Sequence, residues 1–315
     1  MRVFVAGATG TLGMPLVRAL VSRGDEVVGL TRSAEKGRVL ERAGAGVAIA
    51  DALDAARLEQ AVREAKPDCV FHLLTALPKS APLRAAHMRA TNELRRTGTA
   101  NLLRAAVAAG TKRVVAESMV FAYGFGDHGA APKTEADALR EREPHAWLQE
   151  TVDSLRSLEA QLLEANARSS IEAVPLRYGF FYSSDTPSTQ YMLKMIQRRL
   201  FPTAKGARGV ASWIHLDDAV GASLAAMERG RAGEIYNVVD DEPVGMNEWI
   251  LEAARDIGAP RPFSVPLWLL RLLMPYAAAA FDTRLPVSNR KAKAELGWRP
   301  QYPSYREGLR EIAKA

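Results

Sequence analysis

Seven residues constrain this chain more than any others. Val3-Phe4-Val5-Ala6 reads as a short buried strand, and Gly7-Ala8-Thr9-Gly10-Thr11-Leu12-Gly13 comes next as a G-x-x-G-x-x-G turn that opens a helix. Glycines at these places allow a tight turn and close backbone approach. The N–H groups of the turn and the positive end of the helix dipole then face a pyrophosphate. Pro15 suits the first helical turn, where a missing N–H is tolerated. A glycine turn standing alone can equally be a plain strand-to-helix connection, so the chain downstream of it decides between the two.

That downstream chain alternates regularly. Strand patterns at Arg2–Ala6, Glu26–Leu30, Gly46–Ala50, Asp68–Leu74, Lys112–Glu117 and Ile171–Leu176 are separated by helical patterns at Thr11–Ser22, Ala34–Ala43, Asp54–Ala65, Leu83–Ala109 and His145–Ala165. Strand and helix in turn predict βαβ units, and with them an α/β fold around a Rossmann-like doubly wound parallel sheet. Past Leu176 the rhythm breaks into a segment rich in aromatics, Ser, Thr and Pro, then a strand pattern at Glu234–Val238 and a helical tail interrupted by prolines. The expected division is a dinucleotide-binding domain of residues 1–176 plus about 210–240, and a smaller C-terminal substrate-binding lobe of about 177–209 plus 241–315.

Composition removes several function classes. A chain of 315 residues, 48% hydrophobic and 25% charged, is neither disordered nor fibrous. Its single cysteine, Cys69, cannot close an internal disulfide, and five histidines without a second thiol predict no metal site. Residues 1–6 lack the pattern of a signal peptide, so the expected location is cytoplasmic. The most apolar run, Pro266–Phe281, is shorter than a membrane helix needs and carries Arg271 and Pro275, which predicts a buried or pocket-lining helix and no membrane partner. The net charge of +6 is spread as isolated pairs such as Arg95-Arg96, so no nucleic-acid partner is expected.

The end of the second strand bears on which dinucleotide is bound. A carboxylate there would take the adenosine ribose hydroxyls of NAD; this chain has Thr31 followed by Arg32. A guanidinium suits a 2′-phosphate, which predicts NADP, with NAD possible. The other reading of Arg32 is a solvated loop arginine.

With these residues in place, the chain resembles the extended short-chain dehydrogenase/reductase family, the NAD-dependent epimerase/dehydratase group. The resemblance rests on Gly7, Gly10 and Gly13, Asp51, Phe71-His72-Leu73-Leu74, Gly98-Thr99-Ala100-Asn101-Leu102-Leu103, Tyr123-Gly124, Pro175-Leu176-Arg177-Tyr178, Trp213-Ile214-His215-Leu216-Asp217-Asp218, Tyr236-Asn237-Val238 and Glu295-Leu296-Gly297-Trp298-Arg299-Pro300. It implies that Gly7, Thr9, Gly10, Thr11, Leu12 and Gly13 form the phosphate turn, that Asp51 and Ala52 contact the adenine end, and that Leu73, Leu74 and Thr75 line the middle of the cofactor. It also implies a small-molecule substrate and a homodimer built from two long helices per subunit. Asp51 and Asp54 could alternatively cap the next helix, and His72 could be an ordinary core histidine.

The chain departs from that family in its acid/base residues. Family chemistry uses an Asn, a Ser or Thr, and a Tyr-x-x-x-Lys pair, whose i, i+4 spacing brings phenol and ammonium to one helix face. None of the eight tyrosines is followed four places later by lysine. Counting back from Glu159, the two places fall on Thr151 and Leu155; Arg95 stands at the asparagine position and Met119 at the serine position. Alternation along a strand sends Glu117 and Met119 to one face and Ser118 to the other, unless the strand bends early. The polar candidates near the implied cleft are Glu117, Ser118, Tyr123, Tyr178, Tyr182 and His215, and of these Glu117, Ser118 and Tyr178 are the candidate catalytic residues.

Three functions stay open on these residues: an oxidoreductase or epimerase/dehydratase acting on a small, apolar organic substrate without the usual pair; a non-catalytic NADP(H) sensor; and a non-redox cyclase or dehydratase using the same pocket. Nucleophile-elbow, H-E-x-x-H and P-loop patterns are absent, which sets hydrolase, zinc-protease and P-loop chemistry aside.

Overall fold

The computed structural model describes residues 1–78, 82–169 and 171–314. β1 (Arg2–Ala6) turns into α1 (Gly13–Ser22) and is succeeded by β2 (Glu26–Thr31), α2 (Ala34–Arg42), β3 (Gly46–Ile49), α3 (Ala55–Ala65) and β4 (Cys69–His72). α4 (Arg89–Glu93) passes through a π-helical turn at Leu94–Gly98 into α5 (Thr99–Ala108), and β5 (Arg113–Met119), α6 (Ala146–Arg168) and β6 (Glu172–Tyr178) come next. Shorter pieces then occupy the chain: β7 (Phe180–Tyr182), α7 (Pro187–Gln197), β8 (Thr203–Lys205), β9 (Val210–Ala211), β10 (Trp213–His215) and α8 (Leu216–Arg229). The chain ends through β11 (Tyr236–Val238), β12 (Val244–Gly245), α9 (Met246–Asp256), β13 (Ser264–Pro266), α10 (Leu267–Leu273), α11 (Pro275–Asp282), α12 (Arg290–Leu296) and α13 (Tyr305–Lys314).

Seven strands form the central sheet in the order β11-β6-β5-β4-β1-β2-β3, and every pairing in it is parallel. This is the doubly wound arrangement expected from the alternation. The order reverses between β1 and β4, and in such a sheet the crevice beyond the carboxyl ends of the strands at that reversal is where ligands sit. β11 crosses back from beyond residue 209 to pair with β6, Asn237 opposite Arg177. Three two-stranded sheets stand apart from the central one: β7 with β10, β9 with β12, and β8 with β13.

Strand alternation divides the core between the two faces. Val3, Val5 and Phe71 point with Leu16, Leu20 and Val220 to the side of α1 and α8. Phe4, Ala6 and Val70 point with Leu58, Leu102 and Leu158 to the side of α3, α5 and α6. Burying one such Leu or Phe is worth about 1.5–3 kcal/mol, so each strand is held from both sides.

Three details differ from the sequence reading. β6 runs two residues past Leu176, because Tyr178 still pairs with Met119 of β5. The helical pattern over Leu83–Ala109 is broken into a 3-10 turn at Ala85–Met88, α4, the π turn and α5. The apolar run Pro266–Phe281 is two short helices, since Pro275 starts α11 where a proline is accepted. Leu267 and Leu270 are buried, whereas Trp268, Leu272 and Leu273 are exposed, so only part of that run lines the interior. No described helix is long and apolar enough to cross a membrane.

Candidate active site

The phosphate turn lies at the carboxyl end of β1. Gly7 has φ +94°, a backbone state that favours glycine, and a Cβ there would run into the Leu73 carbonyl oxygen. A Cβ on Gly13 would run into the Gly7 carbonyl in the same way, and the Gly10 amide donates to that carbonyl at 2.9 Å. Leu73 is held close because its amide donates to Ala6 O at 2.8 Å. α1 begins without a side-chain cap and without an acidic residue in its first turn. Gly10 and Thr11 are exposed, Thr9 is half-buried and Leu12 is buried. A narrow backbone cradle at the uncapped, positive end of a ten-residue helix fits the pyrophosphate of a nicotinamide dinucleotide.

At the far end of the crevice, Arg32 and Asp51 come together. Arg32 Nη1 is 3.8 Å from Asp51 Oδ2, both side chains largely in water, so the pair adds little stability. Asp51 also accepts from the Leu53 amide at 2.9 Å, while Asp54 caps α3 through the Arg57 amide at 3.2 Å. Of the two aspartates, Asp54 is therefore the one that caps α3. Thr31 is buried and shapes the bend after β2 by accepting from the Ser33 amide at 3.2 Å. Ala52 is placed by Asn101 of α5, whose side chain donates to Ala52 O at 3.0 Å. Leu74 and Thr75 become progressively more exposed as the chain leaves β4.

The floor of the crevice is the end of β5. Pairing with β4 stops at Ala116 opposite His72, so Glu117 is the first β5 residue beyond it, while pairing with β6 continues to Met119. Glu117 is half-buried, and burial pushes its carboxyl up to about 7 against the opposing pull of Arg95. Ser118 faces the other way, as alternation requires. Its hydroxyl donates to Glu159 Oε1 at 2.6 Å, and Glu159 in turn holds Arg177 in a bidentate pair at 2.8 and 2.7 Å. The Arg177 guanidinium also lies 4.6 Å from the centre of the Tyr123 ring.

The Tyr178 hydroxyl is fully buried against Ser223 Oγ at 2.7 Å, and burial raises its pKa far above the ordinary phenol value. The structure therefore brings Glu117 to the crevice and commits the hydroxyls of Ser118 and Tyr178 elsewhere. Of the three candidates, only the Glu117 side chain is left without a protein hydrogen-bond partner among the described residues. Tyr182 and His215 pack together in the C-terminal part with ring centres 5.4 Å apart. His215 Nδ1 accepts from the Asp217 amide at 3.3 Å, as a helix-start residue does. Thr151 and Leu155 are buried on α6, Thr151 beside Trp147.

Two residues outside the candidate catalytic set are buried in this part of the fold. Arg95 is 3% exposed in the π turn, and its Nη1 is buried with no acceptor. Tyr276 of α11 is buried near it, its ring 6.0 Å from both Phe125 and Trp147. The signal for Arg95 was present in the spacing. Thr91, Asn92, Thr99 and Leu102 are all buried, and position 95 falls on that same helix face. Tyr276 lies in the run Pro266–Phe281 expected to be buried or pocket-lining, and it is buried.

Comparison with known proteins agrees with this geometry. A profile of the NAD dependent epimerase/dehydratase family matches residues 3–239. Over 98% of this chain and 99% of the relative, the sequence is 38% identical to the 3-diazoavenalumate denitrifying reductase of a Streptomyces species. It is 27% identical, over the whole chain and 96% of the relative, to a 4-hydroxy-2-methyl-3-oxo-4-farnesyl-3,4-dihydroquinoline-1-oxide ketoreductase of Stigmatella aurantiaca. The fold is similar to that of the UDP-glucose 4-epimerase of Thermus thermophilus solved with NAD, with a TM-score of 0.81, 24% identity, and coverage of 100% and 98% of the two chains. With the glycine turn, the parallel sheet and the full-length match in agreement, the chain belongs to the NAD dependent epimerase/dehydratase family of extended short-chain dehydrogenases/reductases.

Proposed function

We propose that this protein is an NADP(H)-dependent reductase of a small, largely apolar aromatic substrate. The observation that supports the reading is the phosphate cradle at the carboxyl end of β1, with Glu117 as the half-buried acid at the end of β5. The names of the 38% and 27% identical relatives, both reductases, support the reductase arm over the epimerase one. A reduced nicotinamide, when bound, supplies a hydride.

In this reading the amides of Thr11, Leu12 and Gly13 hold the pyrophosphate, with Thr9 beside them. Arg32 takes the 2′-phosphate, Asp51 and Ala52 the adenine end, and Leu73, Leu74 and Thr75 the middle. Residues 1–176 and about 210–240 form the cofactor part and the remainder the substrate part, a division supported by the return of β11 to the sheet. Ser118 and Tyr178 act as positioning residues for β5 and β6.

The reacting group decides what Glu117 does. A carbonyl oxygen needs a proton as its carbon is reduced, and Glu117 is the titratable group placed to give it. A diazonium group on an aromatic ring needs none: the new C–H bond forms, the C–N bond breaks, and its electron pair leaves with N2. The relative named as a denitrifying reductase of a diazo compound favours the second. The test is NADPH oxidation followed by absorbance with an arenediazonium salt and with an aromatic aldehyde, in wild type and Glu117→Gln. Turnover of the diazonium by both proteins supports hydride-only chemistry. Turnover of the aldehyde, lost in the variant, assigns Glu117 as proton donor. Turnover of neither, with NADPH bound, favours the sensor reading. Sedimentation at micromolar concentration checks the accompanying proposal of a homodimer through the helical stretches Leu83–Ala109 and His145–Ala165.

A further inference from the structure

Two arginines are buried beside this crevice, and the fold treats them differently. Arg177 is 3% exposed, and the carboxylate of Glu159 and the face of Tyr123 meet it. Arg95 is equally buried, and in both arginines Nη1 has no acceptor, but no carboxylate among the described residues comes within 4.0 Å of Arg95. A guanidinium stays charged under any ordinary condition, and removing it from water is costly unless an anion or a set of acceptors meets it. The chain supplies a directly paired carboxylate for Arg177, whereas the acid that bears on Arg95, Glu117, makes no ion pair with it.

The surroundings of Arg95 define what would complete it. Tyr276 and Glu117 are the ionisable groups that bear on it, Tyr276 as a neutral phenol, and His72 is held neutral by burial, its pKa pushed down to about 4. Beyond Tyr276 lies a run of aromatic rings. Phe125 stands edge-on to Tyr276 and stacks on Phe121 at 4.4 Å, and Phe121 meets Phe180 at 5.4 Å. Tyr276, Phe125 and Phe121 belong to one buried cluster, and Phe180 and Trp147 at its edge are half-buried, so the aromatic wall reaches the surface through those two. Such walls suit a flat ring, and a guanidinium at their inner end suits a planar carboxylate held by two N–H groups.

We propose that Arg95 is the anion-recognition residue of the crevice, taking the carboxylate of a small aromatic acid whose ring lies against the Tyr276–Phe121 wall. This deepens the reductase reading and rests on it for the identity of the neighbouring cofactor. Glu117, as a second acid facing the same guanidinium, opposes the bound carboxylate whenever it is ionised.

The test is calorimetric titration of wild type, Arg95→Met, Arg95→Lys and Glu117→Gln with cinnamate and with methyl cinnamate, each with and without saturating NADP. Expected are binding of cinnamate to wild type at least tenfold tighter than its ester, loss of that preference in Arg95→Met, partial retention in Arg95→Lys, and several-fold tighter cinnamate binding by Glu117→Gln at pH 8. No cinnamate binding to wild type, or equal binding by wild type and Arg95→Met, overturns the proposal. So does a loss in Arg95→Met of NADP affinity in place of cinnamate affinity, which would give the guanidinium to a cofactor phosphate. Failure of wild type to bind NADP overturns the reductase reading alone, because the cinnamate comparison without cofactor still reports on Arg95. Should Arg95→Met fail to fold, the Lys and Gln variants decide the matter.

Discussion

His72 and Thr99 tie the end of β4 to the helix that carries Arg95. The imidazole Nε2 lies 2.7 Å from Thr99 Oγ1, and that hydroxyl donates to the Arg95 carbonyl at 2.6 Å. The hydroxyl has one proton and has given it to the carbonyl, so His72 donates from Nε2. Its Nδ1 is left to accept from the Leu74 amide at 3.4 Å. One buried chain of hydrogen bonds thus joins the segment expected to line the cofactor to the π turn beneath the crevice, and a π turn inside an α-helix is often found at functional sites.

Thr99→Val would leave the His72 N–H without an acceptor in a buried place. A loss of about 1–3 kcal/mol is expected, read from the urea midpoint. The same imidazole makes stability depend on pH. Its pKa falls from 6.5 to about 4 on folding, with burial the main cause and the Arg95 charge the second. The unfolded chain therefore binds the proton first, and this share of stability is present above 6.5 and lost as pH falls towards 4. A His72→Asn variant with the same acid sensitivity as wild type over that window would contradict the account.

Glu117 acts in the opposite sense. Its pKa rises from 4.5 to about 7 on folding because burial penalises the carboxylate, with Arg95 pulling it back only in part. The native state holds the proton longer, so the contribution is present below 4.5 and is lost as pH rises through 7. Glu117→Gln should gain on wild type between pH 5 and pH 8, by about 1–3 kcal/mol. Denaturation curves at the two pH values showing a constant difference would remove the burial of Glu117 from the explanation.

Ser118 and Glu159 separate a catalytic reading from a structural one. Ser118→Ala removes one hydrogen bond to a charged group and should cost about 1.5–3 kcal/mol, with kcat within about twofold of wild type. Glu159→Ala strands the Arg177 guanidinium and should cost about 3–5 kcal/mol. A hundredfold loss of kcat in Ser118→Ala with unchanged stability would return that hydroxyl to the site.

Arg32→Asp should reverse the cofactor preference, since a carboxylate repels a 2′-phosphate and accepts from ribose hydroxyls. A change of at least tenfold in the ratio of NADP to NAD dissociation constants, about 1.4 kcal/mol, is expected from calorimetry. The exposed Asp51 partner would then be a second acid beside the first, which sharpens the effect. An unchanged ratio would make Arg32 a solvated arginine.

Local chemistry made much of this protein legible. The glycine turn works through backbone clearance within a few residues of β1, and strand alternation needs nothing but a period of two. That is why the central sheet, the cradle at Gly7 and Gly13 and the outward turn of Ser118 relative to Glu117 are readable from the chain alone. The long helix is not readable in full, since the π turn at Leu94–Gly98 shifts the helical phase by one residue without any proline or glycine pair to announce it. Tyr178 looks like a cleft residue until Ser223, 45 positions away, supplies its partner.

The sequence by itself determined the order of strands and helices, the phosphate turn and the carboxyl-end crevice, because each comes from contacts between near neighbours or from periodic burial. Only the tertiary structure decided which polar groups share the crevice. Arg95 comes from the π turn, Glu117 from β5 and Tyr276 from α11, and Arg177 is paired with a carboxylate from α6 while Arg95 is not. Burial and pairing of charges depend on distances between segments far apart in the chain, and those distances exist only once the sheet has closed its helices around it.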